Sequence, residues 1–414
     1  MYHTGARPNL LRRVVSSPFL LVVALAALIQ GTLAWVNQGI PILYPFIREE
    51  MGLTLAQVGL ITSVLSGGGM ITSLLGGWLT DVWGAKRTAT TALVLLGLVV
   101  IGFAVTKSYL VFLLLGAVAG MAEAPVSPAA SRMILDRVPR RTRGLAMGIK
   151  QMGPSITGVV TAVVLPVIAV NYGWRTSLMM PVIAIFASAA LFFAFYRERT
   201  REGGLLARPP LLRGVLGLTQ DPRLVGVTLW SMVNAAVNVA VGSYLVLFMV
   251  DHIHLTPVVA GGYLALARLS SSGGRLFWGA FSDVAFGGRR VIVLGVMGSG
   301  TALALLGASA ANENTPSVLV LLLVLALGAT AMSWHGVFHV VVGETAKEGQ
   351  QGMALGAAST VSRLGAVLGP PLFGLLVDTT GSYSIGWITV AGMALFSSLA
   401  LVIFVGGARQ EAPS

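Results

Sequence analysis

The sequence contains no cysteine. A chain without cysteine forms no disulfide and has no thiolate that acts as a nucleophile or a metal ligand. Charged residues make up only 10% of its 414 residues, against about 25% in an average soluble domain. So little charge does not cover the surface of a soluble protein of this length, and lipid is therefore expected to be its main solvent.

The sequence also has no GxxxxGK[ST] phosphate loop and no soluble nucleotide-binding segment, which argues against ATP-driven chemistry. The first apolar run, 18–47, is too long for the hydrophobic region of a signal peptide and is not followed by a small-residue cleavage site. We therefore expect no cleaved leader, no enzymatic activity and no cofactor.

Hydrophobic residues are abundant, at 55% of the chain. An apolar helix of about 20 residues crosses a bilayer, and the sequence holds about twelve such segments. They lie near 18–47, 54–80, 88–106, 109–136, 144–171, 174–196, 223–251, 256–283, 290–310, 316–343, 350–378 and 383–406. The sequence thus predicts an all-α membrane protein.

Two loops have related sequences: GGWLTDVWGAKR at 76–87 and GAFSDVAFGGRR at 279–290. A repeat on this scale indicates two related halves. We predict an N-terminal six-helix bundle at 1–196, a cytoplasmic linker at 197–222 and a C-terminal six-helix bundle at 223–414. For the loops we predict a gating and packing role, carried by Gly77, Asp81, Gly84, Lys86, Arg87, Asp283, Arg289 and Arg290.

The basic residues account for a formal net charge of +12 and concentrate in the loops on one side of the predicted spans. Only Arg48, Lys107 and Arg175 fall on the other side. Positive charge is retained on the cytoplasmic side of membranes, so we expect both termini in the cytoplasm and a multi-pass protein of the inner (plasma) membrane. The charge thus has an explanation that needs no nucleic acid as a partner.

Five ionisable residues lie inside the predicted spans: Glu123, Lys150, Arg268, Arg275 and Arg363. Charge in the bilayer is costly and usually functional. Arg268 and Arg275 are two turns apart and share a helix face. Lys150 and Arg275 have the alternative of extending to the cytoplasmic surface, and Arg268 and Arg363 that of pairing with Glu123. One carboxylate does not neutralise both arginines, so an anionic ligand is the favoured interpretation.

Neutral polar residues in the spans are further candidates for lining a cavity. They are Asn37, Gln38, Tyr44, Asn234, Asn238, Trp334 and His335. Hydrogen bonding between helices without a substrate explains such residues equally well. His335 and His339 have the spacing of metal ligands, but the sequence offers no third ligand beside them, so we predict no metal site.

The first of the two loops resembles the most characteristic motif of the major facilitator superfamily, GxLxD-xxG-x-K-R, with Ala85 as a departure. The second loop is similar to the weaker echo of that motif in the same superfamily. The resemblance covers nearly the whole chain. It implies two six-helix bundles around a central cavity that opens alternately to the two sides of the membrane.

Segments inside the spans resemble anion carriers of that superfamily. GGRLFWGAFSD at 273–283 is similar to monocarboxylate, oxalate and nitrate carriers, which implies that Arg275 contacts the anion. GMAEAPVSPAAS at 120–131 resembles the anion:cation symporters, which implies proton coupling at Glu123, and GIKQMG around Lys150 resembles cyanate and nitrate carriers. Gly116, Asn37-Gln38 and Ala358 depart from these patterns, so no single branch fits.

The favoured hypothesis is a monomeric secondary transporter of a small organic anion, driven by protons. The main alternative is an exchanger or efflux antiporter of drug-like compounds, for which the Gly153-Pro154 and Gly369-Pro370 pairs speak. A remote alternative is a sensor that binds a solute without moving it.

Overall fold

The computed structural model describes residues 17–139, 142–196, 221–284, 289–346 and 351–406. Within these ranges the regular structure is helical, without strands. The helices are α1 (Ser17–Gly39), α2 (Tyr44–Met51), α3 (Leu55–Val82), α4 (Ala85–Val105), α5 (Tyr109–Glu123), α6 (Val126–Arg137), α7 (Arg143–Tyr172), α8 (Trp174–Phe195), α9 (Pro222–Asp251), α10 (Pro257–Val284), α11 (Arg290–Ala310), α12 (Ser317–Ala331), α13 (His335–Thr345), α14 (Gln351–Thr380) and α15 (Tyr383–Leu401).

These helices form twelve spans over the described residues. The first span joins α1 and α2 through a 3-10 turn, Ile40–Leu43, the fourth joins α5 and α6, and the tenth joins α12 and α13. Eleven spans are long and apolar enough to cross a membrane. The remaining span, α10, has 28 residues and is less apolar because it carries Arg268, Arg275 and Asp283. The predicted all-α membrane fold is confirmed.

Two of the spans are broken at equivalent places. The fourth span turns at Ala124-Pro125, where proline lacks the amide needed to continue the helix. The tenth span turns between α12 and α13, where the hydroxyl of Ser333 donates to the carbonyl of Gly328 at 2.7 Å. The breaks place Glu123 at the end of α5 and His335 at the start of α13.

The two bundles use the same close helix crossings. In the first half, Gly120 of α5 lies against the carbonyl of Leu65 in α3. In the second half, Gly328 of α12 lies against that of Ala267 in α10. A Cβ added at either glycine would lie within 2.0 Å of that oxygen. Only glycine allows backbones to approach so closely, as is common between membrane helices. The shared crossing is the structural counterpart of the internal repeat.

The halves meet at the end of the molecule that is distant from the termini. There the hydroxyl of Tyr244 lies 2.8 Å from the carbonyl oxygens of both Leu55 and Pro370. Gly59 of α3 and Gly374 of α14 leave no room for a Cβ, since one would lie 2.4 Å from the Tyr244 hydroxyl at either position. We call this region, with Asp378, the distal contact.

Asp378 joins the halves by capping a helix of the opposite half. Its carboxylate accepts hydrogen bonds from the backbone amides of Leu55 at 3.0 Å and Ala56 at 2.7 Å, the first residues of α3. Thr54 and Gln57 cap the same helix locally, with reciprocal bonds of 3.2 and 2.9 Å. A carboxylate at a helix N-terminus is stabilised by the free amides and by the helix dipole. An ion pair between Arg48 and Asp251 also joins the halves.

The predicted loop motifs are only partly described. Gly77 and Asp81 lie in α3, but their side chains fall outside the described residues, so their predicted role stays a prediction. Gly84 has φ of +85° before α4, which favours glycine. Lys86 lies 4.2 Å from the ring centroid of Phe193, and Arg87 is exposed.

In the second loop, Arg290 pairs with Asp283 at 2.8 Å and also with Glu344, while Arg289 precedes α11. Nearly all of the predicted linker, 197–222, lies outside the described residues, so the division into 1–196 and 223–414 also stays a prediction.

We expect Asp378→Asn to weaken the distal contact by about 1–2 kcal/mol, because the capping charge is lost. That corresponds to a shift of about 5- to 30-fold towards molecules open at this end. Spin labels at Lys107→Cys and Glu313→Cys, in a chain that has no other cysteine, measure this shift. The fraction of molecules with a long distance between the two labels should be larger in Asp378→Asn than in the parent.

Asp221→Asn is the matched control, since Asp221 caps its own helix through the amide of Arg223 at 2.8 Å. An equal shift in both variants, or in neither, would contradict the role of Asp378.

Candidate functional site

A cavity of about 280 Å³ lies between the two halves. Most of its lining residues are of polar types, and within the described structure they include no Phe, Tyr or Trp. The lining residues are Asn37, Gln38, Pro41, Thr62, Pro154, Ser155, Asn238, Val239, Gly242, Ser243, Leu264, Arg268, Ser271, Ser272, Arg275, Met332 and His335. The cavity brings together polar residues that the sequence predicted for the site and several serine and threonine hydroxyls that it did not.

Arg275 of α10 provides the free positive charge of the cavity. Its side chain is exposed to the cavity, and no carboxylate or hydrogen-bond acceptor pairs with it among the described residues. His335, at the start of α13, lines the same cavity and stacks on Trp334 at a ring distance of 4.0 Å. A guanidinium with unused N–H groups is suited to bind a carboxylate through two hydrogen bonds.

Arg268, two turns earlier on α10, has a different environment. It donates to the carbonyl of Gly158, to the hydroxyl of Thr161 at 3.2 Å and to the carbonyl of Gln38 at 2.9 Å. All three acceptors belong to the first half of the chain, whereas Arg268 belongs to the second. Arg268 therefore joins the halves at the wall of the cavity, and its bonds go to these groups and not to Glu123.

Glu123 lies behind Asn37 at the end of α5. The amide nitrogen of Asn37 donates to Oε2 of Glu123, and Oε1 is buried without a hydrogen-bond partner in the described structure. Arg363 of α14 is near enough to attract this carboxylate. Because Asn37 also lines the cavity, it connects Glu123 to the space where a ligand would lie.

Two of the predicted site residues lie one layer behind the cavity. Lys150 is buried, and its Nζ donates to the hydroxyl of Ser131 at 2.8 Å. Tyr44 is fully buried, and its hydroxyl lies 2.6 Å from that of Thr62, which does line the cavity.

Two others belong to the core of the second half. Asn234 is buried and donates to the carbonyl of Trp230 in its own helix at 3.0 Å. Trp334 is buried and packs edge-on against Trp230, with ring centroids 5.5 Å apart. Asn238, one turn after Asn234, faces the cavity instead.

The sequence analysis did not single out Thr62 and Ser243 of the cavity, or Asp378 and Asp251 of the contact between the halves. The hydroxyls gave no distinct signal. The aspartates lie near span ends, where charge is ordinary. No group of three potential metal ligands occurs in the part of the chain that is described.

The sequence profile of the Major Facilitator Superfamily matches residues 23–334 and 231–414. The chain belongs to the Major Facilitator Superfamily. It is therefore a transporter rather than an enzyme, and the resemblance found in the sequence is confirmed.

Relatives of this transporter carry different anions by name. It is 24% identical to the "Hexuronate transporter" of Bacillus subtilis, with 93% of this chain and 94% of that protein covered. It is also 24% identical to the "Probable nitrate transporter NarT" of Staphylococcus epidermidis, over 94% and 96% of the two chains. The solved structure of the nucleoside transporter NupG superimposes with a TM-score of 0.77 at 14% identity, over 94% and 99% of the chains. That structure supports the fold alone.

We expect the two arginines of α10 to affect the stability of this transporter differently. Arg268→Met removes three hydrogen bonds between the halves and should cost about 3 kcal/mol. Arg275→Met breaks no bond within the described structure and should leave stability unchanged. Thermal unfolding of the purified variants without substrate measures both. Equal melting temperatures would show that the bonds of Arg268 do not hold the halves together.

Proposed function

We propose that this transporter moves a small organic anion of the carboxylate type by alternating access. The observation that carries the proposal is the guanidinium of Arg275, which has no partner among the described residues and lines the cavity between the halves. The guanidinium has no acceptor among the described residues, and the carboxylate of a substrate would supply one through two parallel hydrogen bonds. The named anions of the relatives agree with it. A carrier of drug-like compounds is less well supported, because such ligands are usually bound by apolar and aromatic walls.

Arg363 is the second cation that we assign to the anion. It lies on α14 and is not among the described lining residues, but its charge attracts the carboxylate of Glu123, and it has no hydrogen bond or ion pair in the described structure. Both α10 and α14 belong to the second half, whereas Asn37 and Glu123 belong to the first. An anion held between them would contact both halves, as a substrate that controls their relative movement must.

We further propose proton coupling at Glu123. In this proposal Glu123 is ionised in the empty carrier, where it accepts the hydrogen bond from Asn37 and the positive charge of Arg363 attracts it. A substrate carboxylate competes for Arg363. When Glu123 loses this attraction it takes up a proton, so that substrate and proton bind together and each favours binding of the other.

The remaining features of the proposal are a monomer in the plasma membrane with both termini in the cytoplasm. The distribution of Lys and Arg in the loops supports this orientation.

Replacing the anion-binding arginines should weaken binding strongly. Arg275→Lys keeps the charge but loses the two parallel hydrogen bonds, and Arg363→Lys does the same at the second position. Breaking a buried charged pairing costs about 2–5 kcal/mol, or roughly 30-fold or more in affinity. Binding of the transported carboxylate by calorimetry measures the effect. If both variants stay within a factor of about two of the parent, the anion site lies elsewhere.

Glu123→Gln, which imitates the protonated acid, should retain exchange of substrate across a membrane and lose accumulation driven by a pH gradient. Its substrate binding should also depend less on pH. Uptake into reconstituted vesicles measures both activities, with the exposed loop variant Glu313→Gln as the control. Unchanged accumulation by Glu123→Gln on an imposed proton gradient would remove Glu123 from the coupling mechanism.

The orientation is tested with single cysteines. Lys107 and Trp83 are exposed and lie at opposite ends of the spans, so Lys107→Cys should react with an impermeant thiol reagent added to intact cells, and Trp83→Cys should not. The opposite result would invert the topology.

A further inference from the structure

We propose that the substrate is a hydroxylated carboxylate, an anion that carries several hydroxyl groups beside its carboxylate. This inference rests on the proposed function and names the substrate class of the same cavity. It follows from which hydrogen-bonding atoms of the lining are already used by the protein and which are free.

The serines of α10 have already committed their protons. The hydroxyl of Ser271 donates to the carbonyl of Met332 at 2.8 Å, and that of Ser272 donates to the carbonyl of Arg268 at 3.1 Å. A hydroxyl has a single proton, so what remains for a ligand is the lone pairs of the oxygen. Both side chains therefore act towards the cavity as hydrogen-bond acceptors.

The amide side chains also use their nitrogen atoms in bonds to the protein and leave their oxygen atoms for a ligand. The nitrogen of Asn238 donates to the carbonyl of Ala331 at 2.7 Å, and that of Gln38 to the carbonyl of Pro154 at 3.3 Å. The nitrogen of Asn37 donates to Glu123. These bonds fix which end of each amide is nitrogen. Each carbonyl oxygen is then left without a donor in the described structure, as an acceptor for a ligand.

The cavity thus combines the cation Arg275 with several acceptor oxygens. A nitrate ion or a plain alkyl carboxylate offers acceptors only and would leave those oxygens without partners, which costs about 1–3 kcal/mol for each one that is desolvated. Hydroxyl groups supply the missing donors. An ammonium group would also supply donors, but its charge would lie beside Arg275, and none of the described lining residues is an Asp or Glu that would offset it.

The size and walls of the cavity agree with this class. Its volume of about 280 Å³ is just below the range of roughly 300–1,000 Å³ that is usual for drug-sized ligands. Among the described lining residues, aromatic rings for stacking are limited to the imidazole of His335. A compact, strongly polar anion fits these walls better than a flat conjugated one.

The decisive comparison is between gluconate and hexanoate, which share the carbon chain and the single carboxylate and differ in the hydroxyl groups. Calorimetry on the purified full-length protein should give gluconate an affinity at least about 30-fold higher, since two or more hydrogen bonds to otherwise unpaired acceptors are at stake. Equal or tighter binding of hexanoate would overturn the inference.

Two variants identify the acceptors. Asn238→Ala should weaken gluconate binding about tenfold and leave hexanoate binding unchanged, and Ser272→Ala should act in the same direction if Asn238→Ala does not fold. The controls are Asn171→Ala and Ser270→Ala, because the polar atoms of Asn171 and Ser270 bond to the carbonyls of Val167 and Leu325 away from the cavity. If gluconate and hexanoate respond alike in the cavity variants, the acceptors do not contact substrate.

Failure here is distinguishable from failure of the proposed function. Uptake of carboxylates with a preference for hexanoate would leave the anion transporter standing and would overturn the hydroxylated substrate. A protein that neither binds nor transports any carboxylate would overturn both.

Discussion

The arrangement of the two halves depends on a carboxylate of one half bound to the first backbone amides of a helix in the other. Asp378 caps α3, and Gly59 and Gly374 leave room for the hydroxyl of Tyr244 but none for a Cβ of their own. The capping bonds require the two helix ends to stay in register. The capped helix α3 also forms part of the cavity wall, since Thr62 is among the lining residues.

The broken spans determine what this cavity contains. Because the fourth span turns after Glu123 and the tenth before His335, an acid and an imidazole lie at helix ends in equivalent parts of the two halves. Both halves have such a break, as expected of an internal repeat, but the ionisable side chains near the breaks differ between the halves. Arg268, Arg275 and Arg363 belong to the second half, whereas the spans of the first half carry Glu123 and Lys150.

The spans were predictable because a bilayer requires long apolar helices, and their sequence limits agree with the structure within a few residues. The cavity was predictable only in part. Asn234 and Asn238 share a helix face, yet one bonds within its own helix and the other faces the cavity, because α9 lies at the boundary between core and cavity. Arg268 binds backbone carbonyls, which every residue has and which leave no trace in a sequence. Lys150 of α7 donates to Ser131 of α6, and this contact depends on how each helix is rotated about its own axis, which the sequence does not specify.

The glycines of the distal contact have a consequence for the entropy of closing. Most interfaces immobilise long side chains when they form, and each such side chain loses up to about 2 kcal/mol of rotamer freedom. Gly59 and Gly374 have no rotamers to lose, and the atoms that meet there are largely backbone atoms already fixed within helices. Forming this contact therefore immobilises few side chains besides those of Tyr244 and Asp378, so its entropic cost is small.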